Sequence, residues 1–204
     1  MKPETLILPM KPVFSLCCLI LLFACSQKEA QPKPIATPTT TETDIYFAIN
    51  LVFETLQEAE ALEGNQTPYL ADRLVLPSYC EENSHLKKKI DAYFPGDSVF
   101  LTAQCKQWRN LKLDPQQIQY KKLLSADELA KMRDAKATDR QAHFLDNYQK
   151  KYGKLLFYQV SIPVFAHDKK TFYIDVNTIG SGQSFLFTQK KGKWSGRVVS
   201  NWIS

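Results

Sequence analysis

LLFYQVSIPVF (residues 155–165), TFYIDVN (171–177), SFLFT (184–188) and WSGRVVSNWIS (194–204) are four runs rich in β-branched and aromatic side chains. HDKK (167–170), TIGSG (178–182) and QKKGK (189–193) separate them, and these short polar or Gly-bearing pieces are turn chemistry. Links this short join strands only as antiparallel neighbours. The last quarter of the chain therefore predicts a four-stranded antiparallel meander. Pro163 cannot donate to a ladder, so it belongs at a strand end or bulge.

Toward the N-terminus the apolar period lengthens to that of a helix. Thr138-Asp139-Arg140-Gln141 reads as a capping box ahead of AHFLDNYQKKYG, with Phe144, Leu145 and Tyr148 inward and Gly153 at the stop. Ser125-Ala126-Asp127-Glu128 is a second box, before LAKMRD. Asp97 and Ser98 introduce VFLTAQCKQW, with Phe100, Ala103 and Trp108 on one face, and Asp114-Pro115 starts a short helical segment. Residues 120–124 read as extended. Asp44 is the expected N-cap of a long helix in which Ile45, Ala48, Ile49, Val52, Leu56 and Ala59 share a face, closed by Gly64. Between residues 65 and 96 the signals are a turn at NQTP, a short apolar LVLP and a helical turn or two in HLKKKIDAYF. Helices first and strands last is the α+β pattern: N-terminal helices packed on a C-terminal four-stranded antiparallel meander, forming a single domain over residues 44–204.

Residues 26–43, SQKEAQPKPIATPTTTET, hold almost no large apolar groups and read as a tether. Ahead of them, Lys2 and Lys11 precede VFSLCCLILLFA (13–24), which is uncharged and too short to cross a bilayer but suits the apolar region of a signal peptide. Leu22-Phe23-Ala24-Cys25 resembles the lipobox of bacterial lipoprotein precursors. That resemblance implies acylation of the Cys25 thiol and cleavage before it, with residues 1–24 the signal peptide and 25–43 the lipidated cysteine and tether. A thiolate is the nucleophile such acylation needs, and two or three acyl chains make the anchor durable. Gln27-Lys28-Glu29 is similar to the segment of lipoproteins that Bacteroidetes-type bacteria carry to their outer surface. The expected address is the outer membrane, lipid-anchored, with the periplasmic and the surface-facing leaflet both open.

The chain has 26 basic and 21 acidic side chains among 204 residues, so it is mildly basic. Its lysines are scattered in groups of two or three, with no basic helix or RNA-binding signature, and a nucleic-acid partner is not expected. Of five cysteines, Cys17 and Cys18 lie in the signal segment and Cys25 would carry lipid. Cys80 and Cys105 remain, an even pair in an oxidising compartment, and the compartment favours a disulfide between them over two buried thiols. No C-x-x-C or H-x-x-x-H spacing accompanies them, so a metal site is not expected.

Three histidines are present: His85 in a polar stretch, His143 three residues before Asp146, and His167 beside Asp168. His143 and Asp146 share a helix face, either as an oriented imidazole or as ordinary surface polar groups. Gly180-Ser181-Gly182 lacks the G-x-S-x-G spacing of a nucleophile elbow and the following helix of a phosphate loop, so it is a turn. Asp175 lies between Ile174 and Val176 and faces the opposite side from them. If that side is concave, Tyr173, Asp175, Asn177 and Arg197 line a ligand pocket; if it is open, they decorate the solvated face of a half-covered sheet.

From about residue 97 onward the chain is similar to a loosely defined group of small exported proteins and lipoproteins of Bacteroidetes-type bacteria. The pieces that carry the likeness are FLTAQ, LDPQQI, the Ser125 box, YQKKYG, SIPVFAHDKKTFYIDV with Ser161 before the Pro-Val-Phe unit, the GSG turn, KKGKW and NWIS. The resemblance implies a fold and a location and supplies no catalytic residue. The expected role is a lipid-anchored cell-envelope protein acting by binding or structural association, its partners membrane lipid through Cys25 and an envelope protein or a glycan. An envelope hydrolase using sheet-face or histidine groups and an immunity-like inhibitor are the alternatives. No cofactor is expected.

Overall fold

The computed structural model describes residues 40–63, 68–80, 87–133, 136–155 and 157–203. Cys25, the signal segment, most of the tether, Gly64 and His85 lie outside them. Five helices are described: α1 (Glu42–Glu63), α2 (Lys87–Asp91), α3 (Ser98–Gln107), α4 (Ala126–Lys131) and α5 (Arg140–Tyr152). Seven strands accompany them: β1 (Tyr69–Ala71), β2 (Lys122–Leu124), β3 (Phe157–Val160), β4 (Val164–Phe165), β5 (Thr171–Thr178), β6 (Ser181–Lys190) and β7 (Lys193–Ile203). Among the described residues no helix is long and apolar enough to cross a membrane.

The strands form one sheet in the order β2-β1-β3-β5-β6-β7, with β4 also against β5. The antiparallel meander is there, but the sheet is larger than four strands and mixed. β1 pairs in parallel with both β2 and β3, through three-residue strands that carry no alternation of their own. Pro163 falls in the break between β3 and β4, where no ladder bond is required. Two-residue turns fix the later register. Thr178 pairs with Ser181, leaving Gly180 at φ 85°, and Lys190 pairs with Lys193 across Lys191 and Gly192, both at positive φ. A bulge between Ser184 and Phe185 resets β6 against β7.

Both faces of the sheet carry packed clusters as far as β6, while the edge strand β7 is mostly exposed, so the sheet is not simply covered on one face and solvated on the other. On one face α1 places Ile45, Ala48, Ile49, Val52 and Phe53 against Val160, Phe172, Ile174, Val176, Phe185 and Phe187. The other face carries two separate clusters. One packs Ile90, Phe94, Leu101 and Cys105 on Val164, Tyr173 and Leu186. Its neighbour packs Leu129, Phe144 and Tyr148 on Ala71, Leu124 and Phe157. Cys80 and Cys105 are bridged with Cα atoms 6.2 Å apart. Closing a loop of that 25-residue separation stabilises by roughly 3 kcal/mol in the chain-entropy account.

The caps correct several boundaries. Thr41, not Asp44, starts α1: its hydroxyl accepts from the Asp44 amide while the Asp44 carboxylate accepts from the Thr41 amide at 2.7 Å. Thr40 is already packed, at 1% exposure, so the folded unit reaches into the segment read as tether. α5 is capped by Asp139, whose carboxylate accepts from Ala142 N at 2.9 Å, rather than by Thr138. Ser125 caps α4 as expected and Gly153 ends α5 at φ 76°. Asp114-Pro115 opens a hydrogen-bonded turn instead of a helix. Gln104, inside α3, is buried because its amide acts as a substitute strand: Nε2 donates to Phe165 O at 2.8 Å and Oε1 accepts from Phe165 N at 2.9 Å.

Candidate functional site

Beside the cluster built on Phe144 and Phe157 the sheet is left partly open. The gap is a cleft of about 600 Å³ beside the N-terminal half of α5. Phe144, Phe157 and Trp202 supply rings, Gln141, Gln159 and Asn177 supply amides, and Arg133 and Arg140 supply charge. Its volume lies within the range of small-molecule sites.

Strand register explains the constellation. Gln159 pairs with Asn177, Asn177 with Gly182, and Gly182 with Trp202, so one row of four strands presents amide, amide, no side chain and indole to one face. Gly182 is a requirement of this row. A methyl group there would come 2.3 Å from Asn177 Oδ1 and 2.4 Å from Trp202 Nε1, so both side chains gather over the bare glycine. Trp202 remains 45% exposed, which leaves its indole accessible from solvent. Arg133 stands with its guanidinium 5.4 Å from the Phe144 ring centre, within cation–π range.

Among the described residues, the charge lining this cleft is positive alone. Nearby carboxylates are engaged elsewhere: Asp127 with Arg73, Glu128 with Lys151, Asp146 with Lys150, and Asp139 in its cap. Among the described residues no acid pairs with Arg133 or Arg140, and the Gln141, Gln159 and Asn177 side chains have no hydrogen-bond partner.

The four residues proposed from sequence as one ligand face are not brought together. Tyr173 and Asp175 are sealed at 0% and 6% exposure. Asp175 Oδ1 accepts from the Tyr173 hydroxyl and from Ser184 Oγ at 2.6 Å, while Oδ2 accepts from Ser78 N at 2.8 Å and Ser78 Oγ at 2.7 Å. Four donors satisfy the carboxylate, and the node ties β5 and β6 to the turn Ser78–Cys80. Burial, and then the neighbouring Asp175 charge, push the Tyr173 phenol well above the ordinary tyrosine range. Arg197 lies on exposed β7 with its guanidinium 4.9 Å from the Tyr93 ring centre. Asn177 alone of the four lines the cleft.

His143 and Asp146 do not pair. Each takes a partner one turn along α5, Asn147 at 2.9 Å for the imidazole and Lys150 for the carboxylate. His167 sits edge-on to the Phe100 ring, and its amide donates to Asp97. Among the described residues no group of His, Cys, Asp and Glu is placed to hold a metal ion.

Sequence reading missed Gln159, Arg133, Arg140, Phe144 and Trp202 as site residues. The available signal was the two-residue turn after Thr178, which sets Asn177 opposite Gly182 and thereby marks a glycine in the middle of an otherwise bulky row. Comparison with protein-family models, curated proteins and solved structures gave no match to this chain.

Proposed function

We propose that this chain is a lipid-anchored protein of the outer membrane, held through Cys25, whose α+β domain binds a small ligand in the cleft beside α5. The anchor is supported by the lipobox-like Leu22-Phe23-Ala24-Cys25 and the uncharged run before it. The binding reading is carried by one observation: the cleft offers rings, unpartnered amides and unpaired guanidiniums, while no described Asp, Glu, His or Cys side chain lines it. Proton transfer needs a titratable group within hydrogen-bond reach of the reacting atom, and the lining favours holding a ligand over transforming it. A role in the envelope with a glycan or protein partner fits a domain tethered beyond a membrane surface.

Two measurements bear on this. Cys25→Ser is expected to leave the precursor uncleaved and without bound fatty acid, and normal fatty-acid labelling of that variant would remove the anchor. Native mass spectrometry of protein isolated gently from its own envelope is expected to show a small-molecule adduct that Arg133→Ala/Arg140→Ala loses. Identical, adduct-free spectra for both proteins would remove the binding reading.

A further inference from the structure

We propose that the ligand of this cleft is an acidic saccharide, sugar rings bearing a carboxylate; the proposal rests on the binding reading above and names its substrate class. Three features of the lining point to the same chemistry. Arg133 and Arg140 have no counter-charge among the described residues, and a guanidinium matches a carboxylate with two parallel donors. Gln159 and Asn177, neighbours in one strand row, each hold an amide donor and acceptor with no partner among the described residues, the pattern that adjacent hydroxyl groups complete. The Trp202 indole, laid over Gly182 and still accessible, gives a flat apolar surface whose N–H has no partner among the described residues.

Competing ligands use part of this set and leave the rest unpaired. A fatty acid meets the guanidiniums and the rings but strips water from two amides without replacing its hydrogen bonds. A neutral sugar meets the amides and the indole but leaves two cations without an anion. An aromatic carboxylate brings no hydroxyl groups for the row at Gln159 and Asn177. Only a ligand with ring C–H faces, hydroxyl groups and a carboxylate engages all three.

The test is calorimetric titration of the intact mature protein with tri-galacturonic acid, its methyl ester and benzoate. The acid is expected to bind at least tenfold more tightly than the ester, which has the same rings and hydroxyl groups without charge. Arg140→Ala, at an exposed position with no other partner, should cost the acid about tenfold and leave the ester unchanged. Gln159→Ala should weaken acid and ester alike. Circular dichroism of both variants confirms that they fold. Equal binding of acid and ester, or benzoate binding without saccharide binding, overturns the acidic-saccharide assignment while leaving a ligand cleft of other specificity. No binding by any of the three also overturns the assignment, and the adduct measurement above then decides the binding reading separately.

Discussion

Asp175 and Asn177 stand two residues apart on the same face of β5, and their surroundings are opposite. Around Asp175 every acceptor position is filled from within the protein, by Ser78, Tyr173 and Ser184. Around Asn177 the polar groups have no hydrogen-bond or ion-pair partner among the described residues: its own amide, that of Gln159, the Trp202 N–H and two guanidiniums line a cleft. Neither residue type nor strand position separates the two sets. What separates them is cover, because the Ser78–Cys80 turn and α3, stapled by the Cys80–Cys105 bridge, close over the first and stop short of the second. A saturated polar cluster specifies a fold; an unsaturated one in a cleft leaves its hydrogen-bonding capacity for a ligand.

The largest effect should come from emptying the sealed set. Asp175→Ala leaves the Ser78 amide and three hydroxyl groups without their shared acceptor, and hydrogen bonds to a charged group are worth about 1.5–3 kcal/mol each. A loss of about 3 kcal/mol or more is expected in urea denaturation, a large part of the stability of a domain this size. A change below about 0.5 kcal/mol would show that the node is ornamental.

Gly182→Ala tests the boundary between the sets. Its methyl group meets Trp202 and Asn177 at less than contact distance, so the indole must move, at a cost of about 1–3 kcal/mol. Trp202 emission should shift and ligand affinity fall with it. Unchanged emission would mean that the indole does not rest on this glycine.

A third kind of polar group sharpens the contrast. The Tyr148 hydroxyl is buried with no hydrogen-bond partner, neither used inside the protein nor open to a ligand. Burial, and then the neighbouring Tyr69 and Tyr152, push its phenol up to about 12 from an ordinary value of 10.0. The folded state therefore holds this proton more tightly than the unfolded chain. The associated stability is complete below pH 10 and is lost as pH rises toward 12. Tyr148→Phe should be close to neutral at pH 7 and flatten the decline of stability over that window. An equally steep decline would assign it to other groups.

The meander was legible because period-2 runs and two-residue turns are local signals, and those turns also carried the register that sets Asn177 opposite Gly182. β2 was legible as an extended stretch within residues 120–124, but its parallel pairing with β1 was not, since three-residue strands leave no periodicity and their partners come from distant parts of the chain. The side on which Asp175 lies follows from alternation alone. That this side is covered depends on the turn Ser78–Cys80 and on α3, whose docking no local pattern contains. Gln104 shows the same limit: a glutamine in a helix reads as surface, and its pairing with Phe165 emerges only when the helix docks. Arg133 and Arg140 sit among acids in the sequence, and that Asp127, Glu128, Asp139 and Asp146 each engage another group emerges only in space.

The most direct measurement sets Asn177→Ala beside Asp175→Ala, reading urea denaturation and tri-galacturonic acid affinity on both. Asn177→Ala is expected to keep its stability within about 0.5 kcal/mol and lose binding, while folded Asp175→Ala keeps binding and loses stability. The account is contradicted if Asn177→Ala destabilises the protein as much as Asp175→Ala does and still binds the saccharide with unchanged affinity.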